Sequence, residues 1–135
     1  IAHGERVKRI IGEASAAGIA VSLFIDPDSA QIEQSAKLGA GYVELHTGAY
    51  AHAYSDPSAR QYEIDKLRQG AVRAHEAGLK VNAGHGINYV NIKDIRDLPY
   101  LWEMNIGHSI ISRAIFTGID EAVREMKARM NGQLR

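Results

Sequence analysis

Tyr42-Val43-Glu44-Leu45-His46-Thr47-Gly48 is the stretch on which the fold turns. Its first five residues are a short aromatic, branched and apolar run, which reads as a buried strand. Yet the run carries a glutamate and a histidine, and it leaves through Thr47-Gly48. A period of two residues sets Glu44 and His46 on one face of the strand. A carboxylate inside such a strand is costly unless it is paired or used.

Working outward, the same unit recurs. Upstream, Ala20-Val21-Ser22-Leu23-Phe24-Ile25 is another branched apolar run, ending at Asp26. Pro27-Asp28 turns the chain, Asp28 with Gln31 resembles a capping box, and a helix runs to Leu38 with Gly39 at its end. Downstream, Asp56-Pro57 starts a helix that continues to about Ala77, and Gly78 closes it. Lys80-Val81-Asn82-Ala83 is a third strand, followed by Gly84-His85-Gly86. A weaker helix covers about Val90 to Asp97, and Leu98-Pro99 ends it. Glu103-Met104-Asn105-Ile106 is the fourth strand, then Gly107-His108-Ser109 and a short helix from Ile110 to Ala114. Thr117 is the expected cap of a last helix with Ile119, Val123, Met126 and Met130 on one face. A first helix precedes all of this, with Val7, Ile10, Ile11 and Ala14 in helical spacing and Gly18 as its stop.

Strands alternating with helices make a parallel sheet with right-handed crossovers. An open doubly wound sheet would gather its chemistry at one switch point. Here every strand ends in polar residues: Asp26, then Glu44, His46 and Thr47, then Asn82 and His85, then Asn105 and His108. In a barrel all strand C-termini open on one mouth. The expected fold class is therefore α/β, a parallel (β/α)8 TIM-type barrel of which residues 1–135, as a single domain or fragment, supply about four C-terminal βα units. Four strands cannot close such a barrel, and the first helix has no strand before it. The chain also opens on isoleucine rather than methionine. The expectation is a truncated or processed polypeptide whose preceding half, or a partner chain, completes the sheet.

Composition narrows the function classes. With 45% apolar residues in 135, the chain can bury a core. Lys plus Arg and Asp plus Glu are 16 each, so no net field steers it toward nucleic acid or an acidic membrane. No apolar run approaches the roughly 18–20 residues that span a bilayer, and no secretory leader pattern is present. The absence of cysteine removes thiolate chemistry and disulfides, which is compatible with the expected cytoplasmic location.

Three places carry chemistry. Asn105-Ile106-Gly107-His108-Ser109 leads into a short helix, where free N–H groups and the helix dipole favour phosphate. Gly107 permits close backbone approach, and His108 or Ser109 can add a donor. The bland alternative is a glycine turn with a capping serine. In Asn82-Ala83-Gly84-His85-Gly86, flanking glycines leave His85 exposed, and histidine is a residue type that can donate or accept a proton. A surface histidine in a loop is the alternative. Glu44 suits stabilisation of developing positive charge at the barrel mouth, against a structural ion pair, with His46 as its support or the loop's. His3, His52 and His75 read as solvated surface groups. Glu44, His46, His85 and His108 are also suitable metal ligands, but no short ligand motif joins them.

Taken in order and spacing, residues 21–26, 43–48, 80–86 and 105–108 resemble the C-terminal half of the pyridoxine 5′-phosphate synthase family. The resemblance implies a transferase of vitamin B6 biosynthesis. It condenses 1-deoxy-D-xylulose 5-phosphate with 3-amino-2-oxopropyl phosphate and releases inorganic phosphate and water. It implies no cofactor and no metal. His85 matches the general acid and Glu44 the glutamate that stabilises a transition state. Gly86, Gly107 and His108 match positions that bind the aminoketone phosphate. The family's partners are phosphorylated small molecules, and it forms homo-oligomers. Its histidine base, second glutamate and pentulose-phosphate arginines lie on earlier strands, so these 135 residues alone are expected to be inactive. Two other readings stay open: another sugar-phosphate barrel enzyme, and a non-catalytic phosphate-binding half-barrel. An aldolase would place a lysine at a strand end, whereas Lys80 stands at a strand start.

Overall fold

Alternation along the second strand explains how the sheet is used. In the computed structural model, which describes residues 3–134, β2 (Tyr42–His46) buries Val43 and Leu45 completely and leaves Tyr42, Glu44 and His46 half-buried. The buried side meets helices, and the other side carries the polar residues. Around it the order is α1 (Gly4–Ala16), β1 (Ser22–Ile25), α2 (Ser29–Lys37), β2, α3 (Gly48–Ala53), α4 (Pro57–Glu76), β3 (Lys80–Gly84), α5 (Ile92–Ile95), β4 (Leu101–Asn105), α6 (His108–Thr117) and α7 (Ile119–Met130).

The four strands are parallel and lie in the order β1-β2-β3-β4. Each strand sits beside its predecessor, as consecutive units do in a barrel wall, and the order never reverses at a switch point. Register places Phe24 beside Glu44, Glu44 beside Asn82, and Asn82 beside Glu103, one row across the inner face. One layer higher, His46 pairs with Gly84 and Gly84 with Asn105.

Helix α4 covers the outer face of β2 and β3. Asp56 caps it, its carboxylate accepting from Ser58 N at 2.9 Å and Ala59 N at 3.1 Å, and Pro57 occupies the first turn. Ile64, Leu67, Ala71 and Ala74 form its buried stripe, and the two alanines let the helix approach the sheet closely. At α2, Asp28 Oδ1 accepts from Gln31 N at 3.1 Å. The return bond of a full capping box goes elsewhere, since Gln31 Oε1 accepts from Asp26 N at 3.3 Å.

Several boundaries differ from expectation. β4 begins at Leu101 and ends at Asn105, because a bulge opposite Val81 and Asn82 admits Trp102 as an extra residue. The helix expected over 90–97 shrinks to α5, since Asn88 Oδ1 accepts from Val90 N and Asn91 N and holds that stretch as a turn. Helix α3 follows Thr47, an element not expected from the sequence. Thr117 is the last residue of α6, not the cap of α7; its hydroxyl lies 3.2 Å from Arg113 O, and Gly118 stands at the cap. On α7 the buried residues are Ala122 and Met126, while Ile119 and Val123 are exposed. On α1 Ile11 is buried and Ile10 is exposed. Among the described residues, no helix is long and apolar enough to cross a membrane.

Candidate active site

Glu44, His85, Gly86, Gly107 and His108 line one cleft of about 680 Å³ at the C-terminal ends of the strands. Three separate βα units thus deliver their polar ends to one place. A second open cleft, of about 430 Å³, lies on the outer side between α2 and α4, lined by Lys66, Arg73 and Glu76 among others. It touches none of the chemistry at the strand ends.

His85 sits on a backbone held from two directions. Its φ is +80°, in the left-handed region, and Gly86 follows at +81°. Thr47 is buried at the end of β2, with Oγ1 2.8 Å from Gly84 O and 2.5 Å from His85 O. Thr47 N donates to Gly84 O as well, at 2.9 Å. From the other side, Asn91 Nδ2 donates to Gly86 O at 3.0 Å. A Cβ at position 86 would come within 2.8 Å of Ala51 Cβ, so glycine is also required by space. Asn91 is itself fixed: its Oδ1 accepts from Asn88 N at 2.8 Å, and the buried Tyr50 hydroxyl lies 2.8 Å from Asn91 O and 2.9 Å from Asp94 Oδ2. Burial first, and then the Asp94 carboxylate, push the Tyr50 phenol well above its ordinary pKa. The result is an exposed imidazole on a rigid base, with its ring centre 4.9 Å from that of His46.

Glu44 reaches across the sheet. Its Oε2 accepts from Asn105 Nδ2 at 2.8 Å, so a β2 carboxylate meets a β4 amide over the intervening strand. His46 does not hold it. The His46 Nδ1 lies 3.3 Å from Asp26 Oδ1, and its ring meets Phe24 edge-on at 5.1 Å. Next to Glu44 in the register, Asn82 is buried, and its Oδ1 has no hydrogen-bond partner among the described residues. An orphan of this kind costs about 1–3 kcal/mol until a donor meets it.

The start of α6 faces the same cleft. Gly107 stands at the cap, His108 is the first helical residue, and no side chain caps the helix. Ser109 donates instead to Ile87 O at 2.8 Å. It pins the loop after β3, so the first N–H groups of α6 are not satisfied by it. Uncapped N–H groups and a helix dipole make an anion site. Among the described residues, no three His, Cys, Asp or Glu side chains are grouped to hold a metal. Lys80 stands at the start of β3, its Nζ 3.9 Å from the Trp102 ring centre, at the far end of the sheet from this cleft.

Sequence reasoning did not find Thr47, Asn91, Tyr50 and Asn105 as partners. The Asn88-x-x-Asn91 spacing is a local turn signal that was available. The Asn91 bond to Gly86 spans five residues, whereas the contacts of Thr47, Tyr50 and Asn105 join residues dozens of positions apart and leave no local trace.

A family model described as pyridoxal phosphate biosynthesis protein PdxJ matches residues 1–132. The pyridoxine 5′-phosphate synthase of Opitutus terrae is 65% identical over 130 residues, covering 96% of this chain and 52% of the relative. That of Photobacterium profundum is 52% identical over 126 residues, covering 93% and 51%. That of a Cyanothece species is 51% identical over 128 residues, covering 95% and 53%. The chain spans about half the length of these curated relatives. A parallel sheet of consecutive βα units, a polar cleft at the strand ends and a family match along nearly the whole sequence agree, and the chain belongs to the PdxJ family.

Proposed function

We propose that residues 1–135 form the C-terminal half of a (β/α)8 barrel that makes pyridoxine 5′-phosphate from 1-deoxy-D-xylulose 5-phosphate and 3-amino-2-oxopropyl phosphate. The observation that carries this reading is the convergence of Glu44, His85, Gly86, Gly107 and His108 on one cleft. The α6 N-terminus with Gly107 and His108 takes the phosphate of the aminoketone, and Gly86 lets it approach the loop after β3. The amine of this substrate condenses with the pentulose ketone, and water leaves. Carbinolamine and imine formation, the later dehydrations and aromatisation all move protons. His85 delivers a proton to a leaving oxygen from its fixed loop. Glu44 faces the positive charge that develops on nitrogen as the imine protonates. The base, the second glutamate and the groups that hold the pentulose phosphate come from the other half of the barrel. The enzyme is read as a cytoplasmic homo-oligomer.

The test uses the complete barrel containing these residues. With both phosphorylated substrates supplied, pyridoxine 5′-phosphate is followed by absorbance and mass. The wild-type protein is expected to form it, and His85→Asn to lower kcat by roughly 10²–10⁴-fold. Phosphate binding without turnover, or full activity in His85→Asn, would sink the reading.

A further inference from the structure

We propose that Asn105 is a positioning residue for Glu44, holding its carboxylate across Gly84 while leaving its charge unneutralised. This rests on the synthase reading given above. Strands in a sheet lie about 4.8 Å apart, so residues two strands apart meet only through a long side chain with nothing between them. Glu44 is long enough, and Gly84 supplies the gap. A Cβ at position 84 would overlap Glu44 Oε1, approach Glu44 Cδ to 3.0 Å and Asn105 Cβ to 3.2 Å. The carboxylate therefore lies on the glycine, with Oε2 anchored by the amide at 2.8 Å.

The choice of anchor matters for chemistry. A carboxylate only accepts, so the amide must present its nitrogen. A lysine or arginine in that place would fix the group equally well but would neutralise it. Among the described residues, Glu44 has no ion pair. A neutral donor removes the freedom of three side-chain torsions and keeps the negative charge for a cation formed in the cleft. Both residues line that cleft.

The experiment compares wild type, Asn105→Ala and Asn105→Asp in the complete barrel, each checked for a cooperative melt. Asn105→Ala is expected to lower kcat about tenfold, with KM for both phosphorylated substrates within about twofold. Asn105→Asp keeps the shape but sets acceptor against acceptor. Its kcat is expected to be at least as low near pH 8 and to recover as the pH falls and the introduced carboxyl gains a proton to donate. A packing role predicts the reverse order: the isosteric Asn105→Asp near wild type, Asn105→Ala worst, and no recovery with pH. That order overturns the inference, as does a rise in KM with kcat unchanged. If Asn105→Ala fails to fold, Asn105→Asp and its pH dependence decide alone. A wild-type barrel that makes no product overturns the synthase reading and this inference together, whereas an active wild type with an unaffected Asn105→Asp overturns only the inference.

Discussion

The Thr47 hydroxyl lies 2.5 Å from the carbonyl oxygen of His85, so the end of one strand grips the loop that leaves the next. Thr47 is buried, and valine would keep its shape while removing the donor. Thr47→Val is expected to destabilise the protein by about 1–3 kcal/mol, since the His85 carbonyl loses its hydroxyl donor while the Gly84 carbonyl keeps Thr47 N. Urea denaturation should show a lower midpoint with an unchanged slope. An unmoved midpoint would mean that the backbone hydrogen bond from Thr47 N suffices.

Gly84→Ala tests the crossing of Glu44 from the glycine side. The added methyl collides with the carboxylate, which must leave Asn105. Overpacking of this kind costs roughly 1–3 kcal/mol. Turnover should fall by about tenfold or more, and a crystal structure of the variant should show Glu44 turned away. Retention of the 2.8 Å bond to Asn105 in the variant would contradict the crossing.

Tyr50 makes stability depend on alkaline pH. Its folded-state pKa is raised, by burial and then by Asp94. A raised pKa contributes stability that is fully present below the unfolded value of about 10 and is lost as pH rises above it. Wild type should therefore melt progressively lower above about pH 10, with a steeper fall than Tyr50→Phe. Parallel curves for the two proteins would exclude the contribution.

Glu125 acts with the opposite sign. Hydrogen bonding from Arg129, aided by the charge of Arg113 on α6, holds its carboxyl below the ordinary range. A depressed pKa contributes stability that is present above the unfolded value, about 4.3, and lost as pH falls through the folded one. Below about pH 4.5, the wild-type melting temperature should drop more steeply than that of Glu125→Gln. The contact ties α6 to α7, so the same comparison reports on the support of the α6 N-terminus.

The βα alternation was legible because each strand is a short branched run between capped helices, as Asp56-Pro57 and Asp28 illustrate. The strand-end polar residues were legible for the same reason, since parallel topology sends all of them to one mouth. What escaped were features that depend on tertiary contact. The bulge at Trp102 shifted β4, and nothing local distinguishes Leu101-Trp102 from the turn that precedes it. The buried face of α7 runs through Ala122 and Met126 and not through Ile119 and Val123, because a helix end decides its buried face by what it meets. A carboxylate in an apolar strand needs a partner, but the partner of Glu44 is Asn105, sixty-one residues on, and not His46 two residues away.

The left-handed φ of His85 sets use against durability. A side chain with a Cβ resists that conformation, at a cost on the order of 1 kcal/mol, and glycine would not. Selection for stability alone would favour glycine at position 85. The same replacement removes the only titratable group on the loop from Gly84 to Gly86. With the proton-donor role proposed for His85, His85→Gly is expected to raise the melting temperature while lowering turnover, so drift toward greater robustness at this position would be drift away from that proposed activity.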